Sequence, residues 1–283
     1  KDHIFSTDRM GTEESIASIS ITDLKDFYNK VFSPTIAAFN IAGAINKDKV
    51  VASLQPLAAE WKAKDVPFPS YKIPAAPQQS KIYFVDVPGA KQSVINIGCI
   101  GLAREDKDFF PAVVMNYKLG GSFNGNVNLV LREEKGFTYG ARTGFSGGII
   151  QGSFAASASV RSSATEESVA IFKHLMTRYG KEFTPADLDF TRNSMVKGYA
   201  RQFETLGAKI GMLSDISLYQ LPVDYVKGEQ KFLQNMTIDQ LKALAQKYID
   251  PMKMYYVIAG DAKTQLEGLG KIGFGTPEVV VNK

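Results

Sequence analysis

The chain is poor in the residues that anchor metals and cross-links. Its 283 residues hold one cysteine, two histidines and one tryptophan. The lone Cys99 excludes an internal disulfide, which suits a reducing compartment and equally a periplasmic protein that needs no bridge. The histidines, His3 and His174, stand far apart, and neither H-x-x-E-H nor H-E-x-x-H occurs anywhere. A catalytic zinc needs three protein ligands, commonly His and Glu, and these two histidines do not supply such a set. No apolar run reaches the roughly 18 residues needed to span a bilayer. The longest candidate, 94–102, is strand-sized and contains glycine. Phosphate-cradling loops are missing too, with neither G-x-x-x-x-G-K-[ST] nor G-x-G-x-x-G in a strand-to-helix context. A net charge of +4 without a long basic run gives no reason to expect a nucleic-acid partner.

What remains is an ordinary globular composition, 45% hydrophobic and 22% charged, which excludes a disordered or collagen-like chain. The length allows one large or two medium domains. An internal repeat organises it. Residues 22–43 align without gaps on residues 239–260, an offset of 217. Seven of the 22 positions are identical, among them Leu24/Leu241, Lys30/Lys247, Pro34/Pro251 and the closing Ile-Ala-Gly. Each copy reads as a Thr or Asp cap, an amphipathic helix, a proline stop, an apolar strand (36–42 and 254–259) and a glycine turn. Helix–proline–strand–glycine units are common, but a shared register over the whole stretch favours duplication of a unit about 217 residues long.

On that reading the second copy ends a complete unit and the first belongs to one whose greater part lies upstream. The start Lys1-Asp2-His3, without Met, fits a processed or excised piece. Pro67, Pro69, Pro74 and Pro77 mark an extended linker. The expected division is therefore 1–66 as the tail of a preceding half, 67–80 as linker, and 81–283 as a whole half-domain.

Within 81–283 the periodicity predicts strands at 81–87 and 93–100 and a helix over 106–119. A second helix over 126–135 is closed by Gly136 in the left-handed capping position. Strands at 138–146 and 150–160 flank a Gly147-Gly148 turn, and an almost wholly helical stretch runs over 165–246, with Thr184-Pro185 opening one helix. The expected fold class is α+β, a mostly antiparallel sheet covered on one face by a block of helices.

The run Leu119-Gly120-Gly121-Ser122-Phe123, followed by 131–141 (LREEKGFTYGA), resembles the signature of the pitrilysin/insulysin/mitochondrial-processing-peptidase family of zinc metallopeptidases. Residues 11–16 with 21–24 resemble the segment after the zinc site in the catalytic half, and 221–225 with 236–241 resemble the helical tail of the other half. The resemblance implies homologous α+β halves facing each other across a chamber. One carries H-x-x-E-H and a distant glutamate. The other supplies an arginine and a tyrosine seven residues apart, here Arg132 and Tyr139. Zinc and the water it activates would belong to the other half, on the same chain or a partner subunit, and a peptide would be the substrate. This chain alone would not hydrolyse it.

Taken singly, an arginine near a helix C-terminus complements the dipole or pairs with an acid such as Glu133, and a tyrosine opening a strand is half-buried core. The joint pattern favours two donors aimed at a substrate carbonyl and the oxyanion formed from it. The sequence departs from the family at Asn124-Gly125-Asn126-Val127-Asn128, where a Ser-Arg-Leu-like run is common. The asparagines read as helix caps. Two rivals stand beside the peptidase half: a catalytically inactive subunit or scaffold of the same fold, and an unrelated α+β binding module.

Overall fold

The computed structural model describes residues 7–280. Three helices come first, α1 (Glu13–Ala17), α2 (Ile21–Val31) and α3 (Lys47–Glu60). Then follow β1 (Lys81–Asp86), β2 (Gln92–Ile100), α4 (Phe109–Asn116), α5 (Asn126–Asn128), β3 (Thr138–Ser146) and β4 (Ser153–Arg161). Five helices succeed one another: α6 (Thr165–Glu182), α7 (Pro185–Arg201), α8 (Leu206–Tyr219), α9 (Tyr225–Asn235) and α10 (Ile238–Tyr248). The chain closes with β5 (Tyr255–Gly260), α11 (Ala262–Gly270) and β6 (Glu278–Val280). Contacts divide it into two compact units, 1–74 with 203–218, and 75–202 with 219–283. The first thus draws in most of α8 from beyond the proline-rich stretch.

The larger unit is built on one six-stranded sheet in the order β3-β4-β2-β5-β1-β6. β3–β4, β4–β2 and β2–β5 are antiparallel, whereas β5–β1 and β1–β6 run parallel. This is the expected α+β class, with parallel pairing where β5 returns beside β1. Strand residues alternate cleanly between faces. Ile82, Phe84, Ile95, Ile97, Phe154, Val160, Tyr256 and Ile258 are buried under the helices, while their neighbours on the other face stay open. Such alternation is what an antiparallel sheet with one covered face requires. Helix α6 supplies much of the cover through Val169, Phe172 and Met176, each burial worth roughly 1.5–3 kcal/mol.

Local signals explain several boundaries. Thr184 caps α7 in a reciprocal box with Asp187, and Pro185 fits the first turn, where no N–H is needed. The capping boxes of α2 and α10 are Ser20 with Asp23 and Thr237 with Gln240. These lie two residues before the caps expected at Thr22 and Asp239, yet keep the offset of 217. So do the short 3₁₀ turns Pro34–Ile36 and Pro251–Lys253 that follow.

After those turns the two copies part. The strand expected at 254–259 forms as β5, inserted between β1 and β2. The strand expected at 36–42 does not form. A strand exists only through its ladder, and no described residue pairs with this segment. The smaller unit is likewise without an apolar core among its described residues. Leu24, Phe27 and Tyr28 on the apolar stripe of α2 are 55%, 60% and 54% exposed. Its ties are polar, as where Ser33 Oγ donates to Lys64 O at 2.7 Å and Ser217 Oγ to Asn40 Oδ1 at 2.9 Å.

Other expectations shift by a few residues. β4 begins at Ser153 rather than 150 because 147–152 form a loop pinned to 101–104 through Gly101 N–H to Gly152 O and Arg104 N–H to Gly148 O. The helix expected over 106–119 is regular only over Phe109–Asn116, then widens into a π turn over Tyr117–Gly121.

Candidate functional site

The exposed face of the sheet next to β3 is hollowed into a groove of ≈ 590 Å³. Its floor is made of outward residues of β2 and β4, notably Asn96, Ser157 and Ser159, and its wall of the segment 120–132 with the start of β3. Arg132 and Tyr139 both line it.

Arg132 rides on a helix that does not end as a regular α-helix. After α5 the chain continues in π turns over Leu129–Glu134, closed by Lys135 N–H to Val130 O. Gly136 then turns the chain at φ +62°, as the sequence suggested, and its N–H donates back to Arg132 O. Glycine adopts this left-handed geometry without the clash that a Cβ brings. Leu131 is buried beneath, so Arg132, its neighbour, faces the groove rim.

Tyr139 is aimed by a β-bulge. Thr138 pairs with Val160 and Ala141 with Ala158, so Tyr139 and Gly140 together oppose one residue of β4. Regular alternation would put Tyr139 on the buried side with Ala141 and Thr143. The bulge resets the parity and leaves Tyr139 91% exposed. Thr138 holds the bulge closed: its hydroxyl donates to Ser159 O at 2.6 Å and accepts from Gly140 N–H at 3.1 Å.

The two side chains meet. The Arg132 guanidinium carbon lies 5.1 Å from the centre of the Tyr139 ring and 4.6 Å from that of Phe123. The cation thus lies over two aromatic rings, contacts that favour one placement of a planar guanidinium. Glu133 Oε1 stands 3.3 Å from Arg132 Nε. The simple ion pair considered for Arg132 is therefore present, while the half-buried core role considered for Tyr139 is not.

Asn128 does other work than the capping expected of it. α5 starts at Gly125 without a side-chain cap. Asn128 is buried, donates from Nδ2 to Phe123 O at 2.8 Å and accepts at Oδ1 from Ala141 N–H at 3.0 Å. It ties the loop bearing Phe123 to the strand just past the bulge. Asn116, also buried, donates from Nδ2 to Thr143 O at 2.9 Å and accepts from Thr143 Oγ1 at 2.6 Å. Together they satisfy outer-edge groups of β3, an edge strand whose free N–H and C=O would otherwise invite pairing. Gly120 permits this fit, since a Cβ there would sit 2.7 Å from Thr143 N. The Gly-Gly entry was legible in sequence. The roles of Asn128 and Asn116 were not, because their partners on β3, Ala141 and Thr143, lie 13 and 27 residues away and are reached only in the fold.

A metal finds no donor set here. Among the described residues no group of three or more His, Cys, Asp or Glu side chains could hold one. His174 is an exposed residue on α6, and His3 lies outside the described residues. The groove's chemistry is that of hydrogen-bond donors, with guanidinium, phenol, amide and hydroxyl groups facing one channel. Among the described residues no helix is long and apolar enough to cross a membrane.

Comparison with known proteins agrees with this architecture. The sequence profile of the peptidase M16 inactive domain matches residues 18–195. An uncharacterized zinc protease of Streptomyces coelicolor is 27% identical over 169 residues, covering 57% of this chain and 36% of that protein. A non-peptidase homolog from Helicobacter pylori is 21% identical over 267 residues, 90% of this chain and 59% of that protein. The chain therefore spans well under two thirds of these relatives. A crystal structure of a peptidase M16 inactive domain from Pseudomonas fluorescens superposes with a TM-score of 0.79 at 24% identity, covering 89% of this chain and 60% of that one. With fold and sequence in agreement, the chain belongs to the pitrilysin-type M16 peptidase family and carries its inactive, non-zinc domain.

Proposed function

We propose that this chain is the substrate-gripping half of a zinc metalloendopeptidase, with 1–66 closing a preceding half, 67–80 a linker and 81–283 the half that holds the peptide. The observation that carries the reading is the Arg132 guanidinium set against the rings of Phe123 and Tyr139 at the rim of an open groove. Glu133 takes the Nε side, and no described side chain bonds the terminal nitrogens of the fork. A guanidinium and an adjacent phenol, both pre-positioned, suit a peptide carbonyl whose oxygen gains charge during attack. Donors fixed beforehand at a developing oxyanion are commonly the largest single electrostatic contribution to acyl-transfer catalysis. The described residues offer zinc no donor set, so metal and general base are assigned to the other half, on the same chain or a partner subunit.

The test is peptide cleavage by the full-length gene product, with and without chelator, for wild type, Arg132→Ala and Tyr139→Phe. Chelator-sensitive cleavage that falls about 100-fold on loss of a donor, with folding intact, supports the reading. Cleavage indifferent to both substitutions defeats it. A second reading is a catalytically silent subunit that binds peptide or assembles a complex, favoured by the likeness to a non-peptidase homolog along 90% of the chain. That reading predicts no cleavage by the full-length product with any partner encoded beside it.

A further inference from the structure

The groove contains a second guanidinium with no acid beside it. Arg142 lies on the exposed side of β3, opposite Ser157, which in turn pairs with Asn96. All three line the channel that Arg132 and Tyr139 border. The lining contains two arginines and no aspartate or glutamate. The arginines differ in their surroundings. Arg132 has Glu133 at 3.3 Å and two aromatic faces. The Arg142 side chain has no ion pair, hydrogen bond or ring contact among the described residues. The bulge at Tyr139 sets this up as well, because the resumed alternation after Ala141 turns Arg142 outward.

We infer that Arg142 selects peptides carrying an acidic side chain, Asp or Glu, near the carbonyl held by Arg132 and Tyr139. The inference rests on the peptide-gripping reading and names the substrate class of that same groove. The physical argument is charge complementarity. A single uncompensated cation in a concave channel attracts a carboxylate more strongly than the same cation on a convex surface. The guanidinium fork matches a carboxylate in two parallel hydrogen bonds. The floor beside it, Ser157 and Asn96, offers hydroxyl and amide groups but no competing acid. A basic side chain in the same place would meet Arg142 without relief and be disfavoured.

The experiment measures binding of fluorescein-labelled extended host peptides to the 283-residue chain at low and high salt. The hosts are identical except for one Glu, Gln or Lys moved along the sequence. At one position the Glu peptide is expected to bind roughly three- to five-fold tighter than its Gln twin, the range of a partly exposed ion pair. The preference should shrink with salt, survive in Arg142→Lys and vanish in Arg142→Gln. Arg142 is exposed, so folding is expected to tolerate both changes, and circular dichroism checks it. Equal binding of Glu and Gln peptides at every position overturns the inference, as does a preference that persists in Arg142→Gln or no binding of any peptide. If the Glu preference depends on Arg142 while each peptide binds Arg132→Ala and Tyr139→Phe as tightly as it binds wild type, the acidic preference at Arg142 stands and the carbonyl-gripping reading falls.

Discussion

Asn128 accepts the backbone N–H of Ala141 at 3.0 Å and thereby locks the wall of the groove to the strand that carries Tyr139. Its amide also donates to Phe123 O, so one buried side chain holds both aromatic jaws around Arg132. Asn128→Ala would orphan a buried N–H and a carbonyl at once. Each orphan costs about 1–3 kcal/mol. We expect a loss of about 2 kcal/mol or more, read as a drop in thermal midpoint. Asn128→Asp keeps the acceptor and loses the donor, so it should fall between. Equal stability of all three proteins would remove this account of the site.

The repeat supplies a comparison of like with like. Leu24 and Leu241 occupy the same position in the two copies, yet Leu24 is 55% exposed and Leu241 1%. Leu241→Ala should cost about 2–5 kcal/mol. Leu24→Ala should stay within about 0.5 kcal/mol in this chain. Denaturant unfolding of the two variants distinguishes them. Matching losses would mean that α2 is packed where the structure leaves it open.

Two glycines separate backbone strain from crowding. Gly136 sits at φ +62° with nothing within 4 Å of where a Cβ would stand. Gly136→Ala should cost about 1–2 kcal/mol from conformation alone. Gly120 is confined by Thr143 and Val127 at 2.6–2.7 Å, so Gly120→Ala must displace β3 or the wall. It should cost more, and peptide binding should weaken with it. A Gly120→Ala variant as stable as wild type would contradict the close approach.

One carboxylate contributes to the acid limb of stability through named partners. Asp108 Oδ2 accepts from Lys247 Nζ at 2.8 Å and Tyr248 OH at 2.7 Å. These bonds, Lys247 first, hold the Asp108 carboxyl below the usual range. The folded chain therefore binds this proton less readily than the unfolded chain does. Its stabilising contribution is fully present above the ordinary aspartate pKa of about 4 and is lost as pH falls through the depressed folded value. Lys247 is largely exposed, so solvent screens the pair and the gain should be small. Asp108→Asn should lower stability at pH 7 and flatten the decline below pH 4. An unchanged acid limb would assign the decline to other groups.

Much of this protein is written in local sequence. The capping boxes, Thr184-Pro185, Gly136 and the period-two alternation of the strands depend on residues a few positions apart, so a linear reading finds them. The pairing of Arg132 with Tyr139 was legible for the same reason, since a helix, one glycine and a strand start separate them. The segment 36–42 shows where such reading stops. It has the apolar pattern of β5, but pattern alone makes no strand without a neighbouring ladder.

The sequence by itself determined most of the element types, the shared register of the two copies and the fold class, and its family resemblance singled out Arg132 and Tyr139. Only the tertiary structure decided which way Tyr139 and Arg142 point, because a one-residue bulge inverts the faces of a strand and its position depends on the register with β4. It alone decided that Asn128 and Asn116 tie down the edge of β3, and that Arg142 has no acid beside it. Those facts belong to pairs of residues brought together by chain closure, and a hydrogen bond or an unpaired charge exists only once both sides are in place.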